Sequence, residues 1–474
     1  MSCEWGTVTV RDILGPVRGR LISGDPETRL TGISTDSRQI LPGNIFLALR
    51  GEHFDGHSFI PMVLSDNAAG VIAEEGYVAA FNEINLLKDK VFVAVKDTCK
   101  ALDDLAGWWR RQHSARVIAV TGSAGKTTTK ELIASILSSE RRVLKNRGNF
   151  NNLIGLPITL LNMDNTHEIA VVEMGMNRPD EIYRLTEIAD PDIGVITNVG
   201  MAHLEGVGDF SGVVRAKAEL AQKMSDNGIL IINGDSPDLV DEVSSYRRDP
   251  VTFGFGEHNH VRGKEVMCLG NQGTRFKICY RGKCWQAKMP FPGFHMVSNA
   301  LAAFAACMYT GISVENILSA IGSFTGVKGR FQVIPLPGNI TLIDDTYNAS
   351  PSSLKSALES IKKMAKGSVR IIVALGDMLE LGDASPMLHR QAGRDVADID
   401  ADYLVTLGNL SSELIKGAIG AGMPVSHIRH VDSHRDMSDA IKKRMTNGCI
   451  ILVKGSRRMG LEHVIVDLAG NESA

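Results

Sequence analysis

The chain has no surplus of positive charge: 51 Lys and Arg stand against 54 Asp and Glu, for a formal net charge of -3. Proteins that grip a phosphate backbone show a clear basic excess, so nucleic acid is excluded as a main partner, whereas a small anion needs only local positive charge. Aromatic residues make up 5% of the 474 positions. The cores must therefore be built from Val, Ile, Leu and Ala, and with 44% apolar and 22% charged residues the profile is that of a soluble α/β protein. Long apolar runs are missing as well: the longest small-apolar stretch, Ala300 to Tyr309, falls short of the ~20 residues that cross a bilayer. The opening "MSCEWGTVTVRD" has no basic region leading into an apolar one, so no membrane partner and a cytoplasmic location are expected. The seven cysteines (Cys3, Cys99, Cys268, Cys279, Cys284, Cys307, Cys449) are odd in number and contain no Cys-x-x-Cys pair. Neither a disulfide framework nor a zinc site is suggested, and buried reduced thiols are expected.

What is present is an ordered alternation of patterns. Residues 1–110 hold short β-like pieces ("GTVTVRDIL", "IFLAL", "GVIAE", "VFVAV") between Gly, Pro and Asp turns, with little long helical periodicity, and read as a small α/β domain. From about residue 111 to 325, "RVIAV", "IAVVEMG", "IGVITNVG" and "GILIING" alternate with helical stretches such as "TKELIASILSS", which predicts a mainly parallel sheet covered on both faces. Between Lys264 and Met289 the pattern turns to period two around glycines, predicting antiparallel strands appended to that sheet. An alanine-rich helix, "SNALAAFAACMYTG", is expected to end at Gly311. A second alternating block, 326–474, places strands at "ITLIDD", "RIIVALGD", "YLVTLG" and "CIILVKGS". Polar residues at such strand ends lie where open α/β sheets bind ligands.

"VTGSAGKTTTK" carries the strongest chemical signal, with Gly122, Ser123, Ala124, Gly125, Lys126, Thr127 and Thr128 between a β-branched run and a helix. Glycines let backbone N–H groups face phosphates, the helix N-terminus adds positive potential, Lys126 reaches the terminal phosphates and the Thr127 hydroxyl suits Mg²⁺. One departure stands out: Val120 occupies the first glycine position of the general motif, and Gly122 supplies the turn. Glu173 ends a predicted strand, where a carboxylate beside a phosphate loop suits Mg²⁺ or a polarised water. His203 follows another strand, Lys217 in "VVRAKAEL" reads on its own as a solvated helix lysine, and Asp344–Asp345 reads as a helix cap or a site for hydroxyls and ammonium groups. Lys454, Ser456 and Arg457 stand at a strand end where a carboxylate would fit, or simply form a soluble loop.

Together these stretches, with "STDSRQILPGNIFLALRGEHFDGHSF", "NRGNFNNLIGLPITLL", "EMGMNRPDEI", "NVGMAHLEGVG", "RAKAEL", "FPGFHMVSNALAAFAA", "DDTYNASPSSLKSAL", "LGDMLELG" and "VKGSR", resemble the Mur ligases along nearly the whole chain. That family comprises ATP-dependent ligases of peptidoglycan synthesis, and its phosphate loop has the short Gly-x-x-Gly-Lys-Thr form seen here. The resemblance implies three α/β domains: a UDP-binding amino-terminal domain, a central ATPase-type parallel sheet with appended antiparallel strands, and a Rossmann-like carboxy-terminal domain. It runs closest to the branch that joins D-alanyl-D-alanine to a UDP-N-acetylmuramoyl-tripeptide. Ser34, Asp36, Ser37 and Arg38 would then contact UDP, and Asn151 and Asn152 the nucleotide sugar. Thr127, Glu173, His203 and Lys217, the last as a carbamate, would hold one or two Mg²⁺ ions. His295 and Asn299 would meet adenine, Asp345 the ribose, and Arg330 the phosphates. Tyr347, Asn348, Lys454, Ser456 and the "GDMLELG" segment would receive the dipeptide, and a monomer is expected. The catalytic set so implied is Lys126, Lys217, His203 and Arg330. The rivals are a sister ligase adding the third stem residue, against which the missing "DNPR"-like stretch speaks, a folylpolyglutamate synthetase-like ligase, which would not need the "STDSR" domain, and a noncatalytic nucleotide-gated protein.

Overall fold

The β-branched runs fold as strands of three separate sheets in a computed structural model that describes residues 5–470, apart from 7, 52, 53, 67, 81–88, 248 and 366–368. Cys3, Glu52 and His53 thus lie outside the described residues. The first sheet contains β1 (Arg20–Ser23), β2 (Gly32–Ser34), β3 (Asn44–Leu47), β4 (Gly70–Glu74) and β5 (Val91–Val95) in the order β1-β5-β4-β3-β2, parallel except for β1. Two readings of this region need correction. Val10–Leu14 is a helix, because Thr9 and Asp12 close a capping box that overrides the β-like "TVTV" pattern. Thr98–Arg111 is a helix of 14 residues, started by Asp97, whose carboxylate accepts from the Lys100 N–H.

The second sheet has nine strands: β6 (Arg116–Thr121), β7 (Val143–Lys145), β8 (Ile169–Glu173), β9 (Ile193–Ile196), β10 (Ile229–Asn233), β11 (Val251–Gly254), β12 (Val261–Cys268), β13 (Thr274–Tyr280) and β14 (Lys283–Met289). Their order is β14-β13-β12-β11-β10-β9-β6-β8-β7, with β13 and β14 antiparallel as the period-two pattern requires. Along β6, Val117 and Ala119 join one core cluster while Ile118 and Val120 join another, so both faces of the sheet are covered. The alanine-rich helix is Phe294–Cys307, and it stops before Gly311, which instead takes a left-handed turn at φ 87°.

The third sheet, in the order β15-β16-β20-β17-β18-β19, contains β15 (Gln332–Leu336), β16 (Ile340–Asp345), β17 (Ile371–Gly376), β18 (Tyr403–Leu407), β19 (Ile428–Val431) and β20 (Ile450–Lys454). Strands β16 to β20 run parallel and β15 is the antiparallel edge. The first two sheets are fastened together by the helix Thr98–Arg111. The Trp109 indole donates to the Met163 carbonyl at 2.9 Å, Trp5 stacks on it at 4.8 Å, and Arg184 reaches Asp103 at 3.0 Å and Asp104 at 2.7 Å.

The expectation of reduced cysteines fails at one place. Arg281 and Gly282 take positive φ in a tight turn that sets Cys279 opposite Cys284, and the two are joined as a disulfide. A search for Cys-x-x-Cys spacing misses a pair formed across a hairpin. Cys307 and Cys449 are buried free thiols, whereas Cys99 is exposed. Among the described residues no helix is long and apolar enough to cross a membrane.

Candidate active site

The carboxyl ends of the central and third sheets face one another across a cleft of about 900 Å³. The phosphate loop follows β6 on one wall, and Tyr347, Asn348, Leu379, Glu380, Lys454 and Ser456 come from the other. Gly122 at φ 141° lies so close to its neighbour that a Cβ would sit 2.0 Å from Thr197 Oγ1, and a Cβ on Gly125 at φ 78° would sit 2.3 Å from Asn299 Oδ1. Glycine is thus required at both points. Asn198, not anticipated from the sequence, braces the loop: its carbonyl accepts from Ser123 N–H at 3.0 Å and its Oδ1 from Ala124 N–H at 2.8 Å. The donors left for an anion are those of the first turn of the helix Lys126–Leu137, whose N–H groups have no intrahelical partner. The Lys126 ammonium folds back onto the Gly122 carbonyl at 2.7 Å, and burial, partly offset by the Glu173 carboxylate, holds its pKa below the ordinary lysine value.

Glu173 ends β8 at 2% exposure, with Oε1 accepting from the Asn151 amide at 2.7 Å and Oε2 buried without a partner. Lys217, on the helix Phe210–Lys223, is fully buried, and its Nζ also has no partner. Burial first, then the nearby Lys126 charge, pushes its pKa well below the ordinary lysine value. A buried, unpartnered amine is the reverse of the solvated lysine read from "VVRAKAEL". His203 takes a left-handed turn at φ 57°, and its Nδ1 lies 2.8 Å from Glu380 Oε2 of the third-sheet domain. That contact pairs charges only when the ring is protonated, and it leaves Nδ1 without a hydrogen-bond partner. Burial and the Lys126 and Lys217 charges lower the His203 pKa against the pull of Glu380. Among the described residues no group of three or more His, Cys, Asp or Glu forms a ready cation cage. The orphaned Glu173 Oε2, His203 Nδ1 and Lys217 Nζ, with the Thr127 hydroxyl nearby in the loop, fit a cation site completed by phosphate oxygens and a modified lysine.

Arg330 crosses from the junction before β15. Its Nη2 donates to Thr127 Oγ1 at 3.2 Å, its guanidinium covers the Tyr347 ring at 3.8 Å, and its Nε is buried and unpartnered. His295 touches Ser360 Oγ at 3.1 Å and meets Phe331 edge-on, and burial lowers its pKa to about 4 although one edge stays open to the cleft. Asn299 is buried beside Gly125. Asp345 accepts from Phe331 N–H at 3.1 Å and from Lys454 Nζ at 2.6 Å. Lys454 also donates to the Asn348 carbonyl, so its ammonium is engaged within the protein, and Ser456 Oγ accepts from Leu379 N–H. Asn152 lines the cleft while its Oδ1 caps the turn at Gly155. Ser34, Asp36, Ser37 and Arg38 sit apart from this cleft at the end of β2, where Asp36 is paired with Arg38 at 2.8 Å and caps the turn Ser37–Gln39. Sequence reasoning missed Asn146, Asn198 and Lys130, and no local pattern marks them, because their partners lie on other elements.

A phosphate loop at the tip of a parallel sheet, closed over by an arginine and a second α/β sheet, defines a nucleotide-dependent, multidomain α/β enzyme class. The comparisons with known proteins make the class specific. Residues 29–109 match the model for the Mur ligase family catalytic domain, residues 120–307 the Mur ligase middle domain, and residues 329–457 the Mur ligase glutamate ligase domain. The chain belongs to the Mur ligase family. It is 36% identical over 461 residues to the UDP-N-acetylmuramoyl-tripeptide--D-alanyl-D-alanine ligase of Bacillus subtilis, covering 97% of this chain and 98% of that one. A crystal structure of MurF from Acinetobacter baumannii superposes with a TM-score of 0.86 at 31% identity, covering 97% and 98% of the two chains. MurF from Thermotoga maritima, in complex with ADP, gives 0.82 at 29% identity, with 93% and 97% covered.

Proposed function

We propose that the chain is an ATP-dependent ligase that joins D-alanyl-D-alanine to a UDP-N-acetylmuramoyl-tripeptide in peptidoglycan synthesis. The observation that carries this reading is the cleft in which the phosphate loop, Glu173 and His203 with their orphaned polar atoms, and Arg330 face residues of the third-sheet domain, with the unpartnered Lys217 amine buried behind its wall. The full-length likeness to a ligase with that substrate pair supports it.

A carboxylate is a poor electrophile, so an amide cannot form until its oxygen becomes a leaving group. A terminal carboxylate oxygen of the tripeptide attacks the γ-phosphorus of ATP, the bridging bond to the β-phosphate breaks, and ADP leaves. The free amine of the dipeptide then adds to the acyl carbon, and the tetrahedral adduct expels phosphate as the amine loses its proton. Lys126 and Arg330 neutralise the transferring phosphoryl group, and the N–H groups of the first helical turn orient it. Mg²⁺, which Thr127, Glu173, His203 and Lys217 would hold, supplies Lewis-acid neutralisation of the phosphates. Lys217 suits this set because a buried neutral amine adds CO₂, losing a proton to become an anionic carbamate.

The three sheets divide the task. The amino-terminal domain, 1–110, takes UDP through Ser34, Asp36, Ser37 and Arg38. The central domain, 111–325, holds ATP, with His295 and Asn299 toward the base, and with Asn151 and Asn152 toward the nucleotide sugar. The carboxy-terminal domain, 326–474, brings Asp345 to the ribose and the dipeptide to the region of Tyr347, Asn348, Lys454 and Ser456. One chain supplies every group, which supports a monomer, and dependence on ATP supports a cytoplasmic location. The test is mass analysis of the UDP-linked product after incubation with ATP, Mg²⁺ and tripeptide. A mass gain of one dipeptide with D-alanyl-D-alanine is expected, and a gain with a single amino acid instead would point to a sister ligase.

A further inference from the structure

Asn146 and Lys130 belong to no part of the chemistry above, yet both are buried, at 1% and 0% exposure. Asn146 follows β7 at the edge of the central sheet and grips the peptide of Glu173 from both sides. Its Oδ1 accepts from Glu173 N–H at 3.0 Å, and its Nδ2 donates to the Glu173 carbonyl at 3.1 Å and to the Phe150 carbonyl at 2.8 Å. Lys130 lies one turn beyond Lys126 on the phosphate-loop helix, and its Nζ donates to the Asn146 carbonyl at 2.8 Å while pairing with Glu131 at 2.7 Å. The path from the loop helix to the strand-end acid is therefore continuous: Lys130, Asn146, then Glu173. The same segment sends Asn151 to Glu173 Oε1.

Glu173 is paired with Val120 of β6 on one side, but on the other side the edge strand β7 gives only three residues of pairing, which end at Val171, so the tip of β8 needs another hold there. We infer that Asn146 and Lys130 are positioning residues that fix the distance between Thr127 and Glu173, and so tune divalent-cation affinity in the nucleotide complex. The inference rests on the reading of Glu173 as a cation ligand. It assigns a task to two side chains that touch neither nucleotide nor substrate.

The test uses the full-length protein with ADP, and Mn²⁺ as the probe, read by electron paramagnetic resonance. Asn146→Ala removes the grip, Asn146→Asp keeps the acceptor for Glu173 N–H but loses both donated bonds, and Lys130→Met removes the anchor. Each is expected to weaken Mn²⁺ binding by roughly 10-fold or more, in the range seen for partners that orient metal ligands, while metal-free ADP affinity stays within about twofold. The Mg²⁺ activation curve should shift to higher concentration with its plateau largely recovered. A purely structural role would lower the melting temperature of Asn146→Asp and leave the Mn²⁺ affinity of its folded fraction unchanged, which overturns the inference. Should Lys130→Met fail to fold, the Asn146 pair decides alone. Glu173→Gln is the control: if it too leaves Mn²⁺ affinity unmoved, the cation reading falls and the inference with it, whereas an effect at Glu173 without one at Asn146 sinks the inference alone.

Discussion

Single residues carry the sharpest consequences of burial. Lys217 has been taken out of water with no partner, which pushes its pKa well down and favours loss of its proton, so Lys217→Ala removes the group that accepts CO₂ and leaves a small void. Turnover should fall by roughly 10²-fold or more and recover in part with added formate or acetate, and an absence of rescue speaks against the carbamate. His295 gives a pH dependence of defined sign. Its pKa is about 4 in the folded protein against 6.5 for an ordinary histidine, so above the higher value neither state binds the proton and nothing changes. As pH falls below it, the unfolded chain takes up a proton that the folded chain refuses, and stability is lost until pH passes the lower value. By pH 5 the loss reaches up to about 2 kcal/mol, reduced in practice by the ring edge open to the cleft. Urea midpoints should therefore drop less between pH 7 and pH 5 for His295→Gln than for the parent, and equal drops would place the acid sensitivity elsewhere.

At the scale of elements, the phosphate loop shows how tightly neighbouring strands define one another. Gly122→Ala would drive a methyl into Thr197 Oγ1, and because Asn198 from the same segment holds Ser123 and Ala124, the whole loop must shift. ADP affinity should fall by an order of magnitude or more, with a stability loss of roughly 1–3 kcal/mol, as measured by calorimetry. Gly76→Ala, where a Cβ meets nothing within 4 Å on the helix Glu75–Ala80, should be neutral or gain up to about 1 kcal/mol. The contrast also marks what was legible in the sequence. Strands β6, β8, β16 and β20 and the loop after β6 announce themselves through local pattern, since burial on both faces forces continuous apolar runs. The partners of the loop do not: Asn198 with Ser123, Asn146 with Glu173, and Glu380 with His203 are pairings between elements far apart in the chain. The helix Val10–Leu14 escaped because a capping box outweighed β-branched residues, and the Cys279–Cys284 bridge because its register comes from a turn.

At the scale of the whole molecule, the two walls of the cleft meet through contacts that involve the site's own residues, among them Arg330 with Thr127 and His295 with Ser360. Residues 325–330 hold the junction, with Gly326 at φ 82°, Gly329 at φ 72° and an Arg330 that already reaches Thr127. On the far side, Glu205 N–H donates to the Glu380 carbonyl at 3.4 Å, next to the close contact of His203 Nδ1 with Glu380 Oε2. A domain attached this way can swing and re-dock, excluding water that would destroy an acyl phosphate. Scattering profiles should therefore contract when ATP analogue and tripeptide are both present, and Glu380→Ala should weaken that contraction. Identical profiles with and without ligands would remove the closure.

The central claim is that Lys126 and Thr127 hold an ATP whose γ-phosphate passes to a carboxylate, not to water or a hydroxyl. It is tested most directly by labelling the terminal carboxylate of the UDP-linked tripeptide with heavy oxygen and running the reaction with D-alanyl-D-alanine. Each phosphate released should carry one labelled oxygen from the tripeptide. Phosphate free of label, released at the same rate, would contradict it.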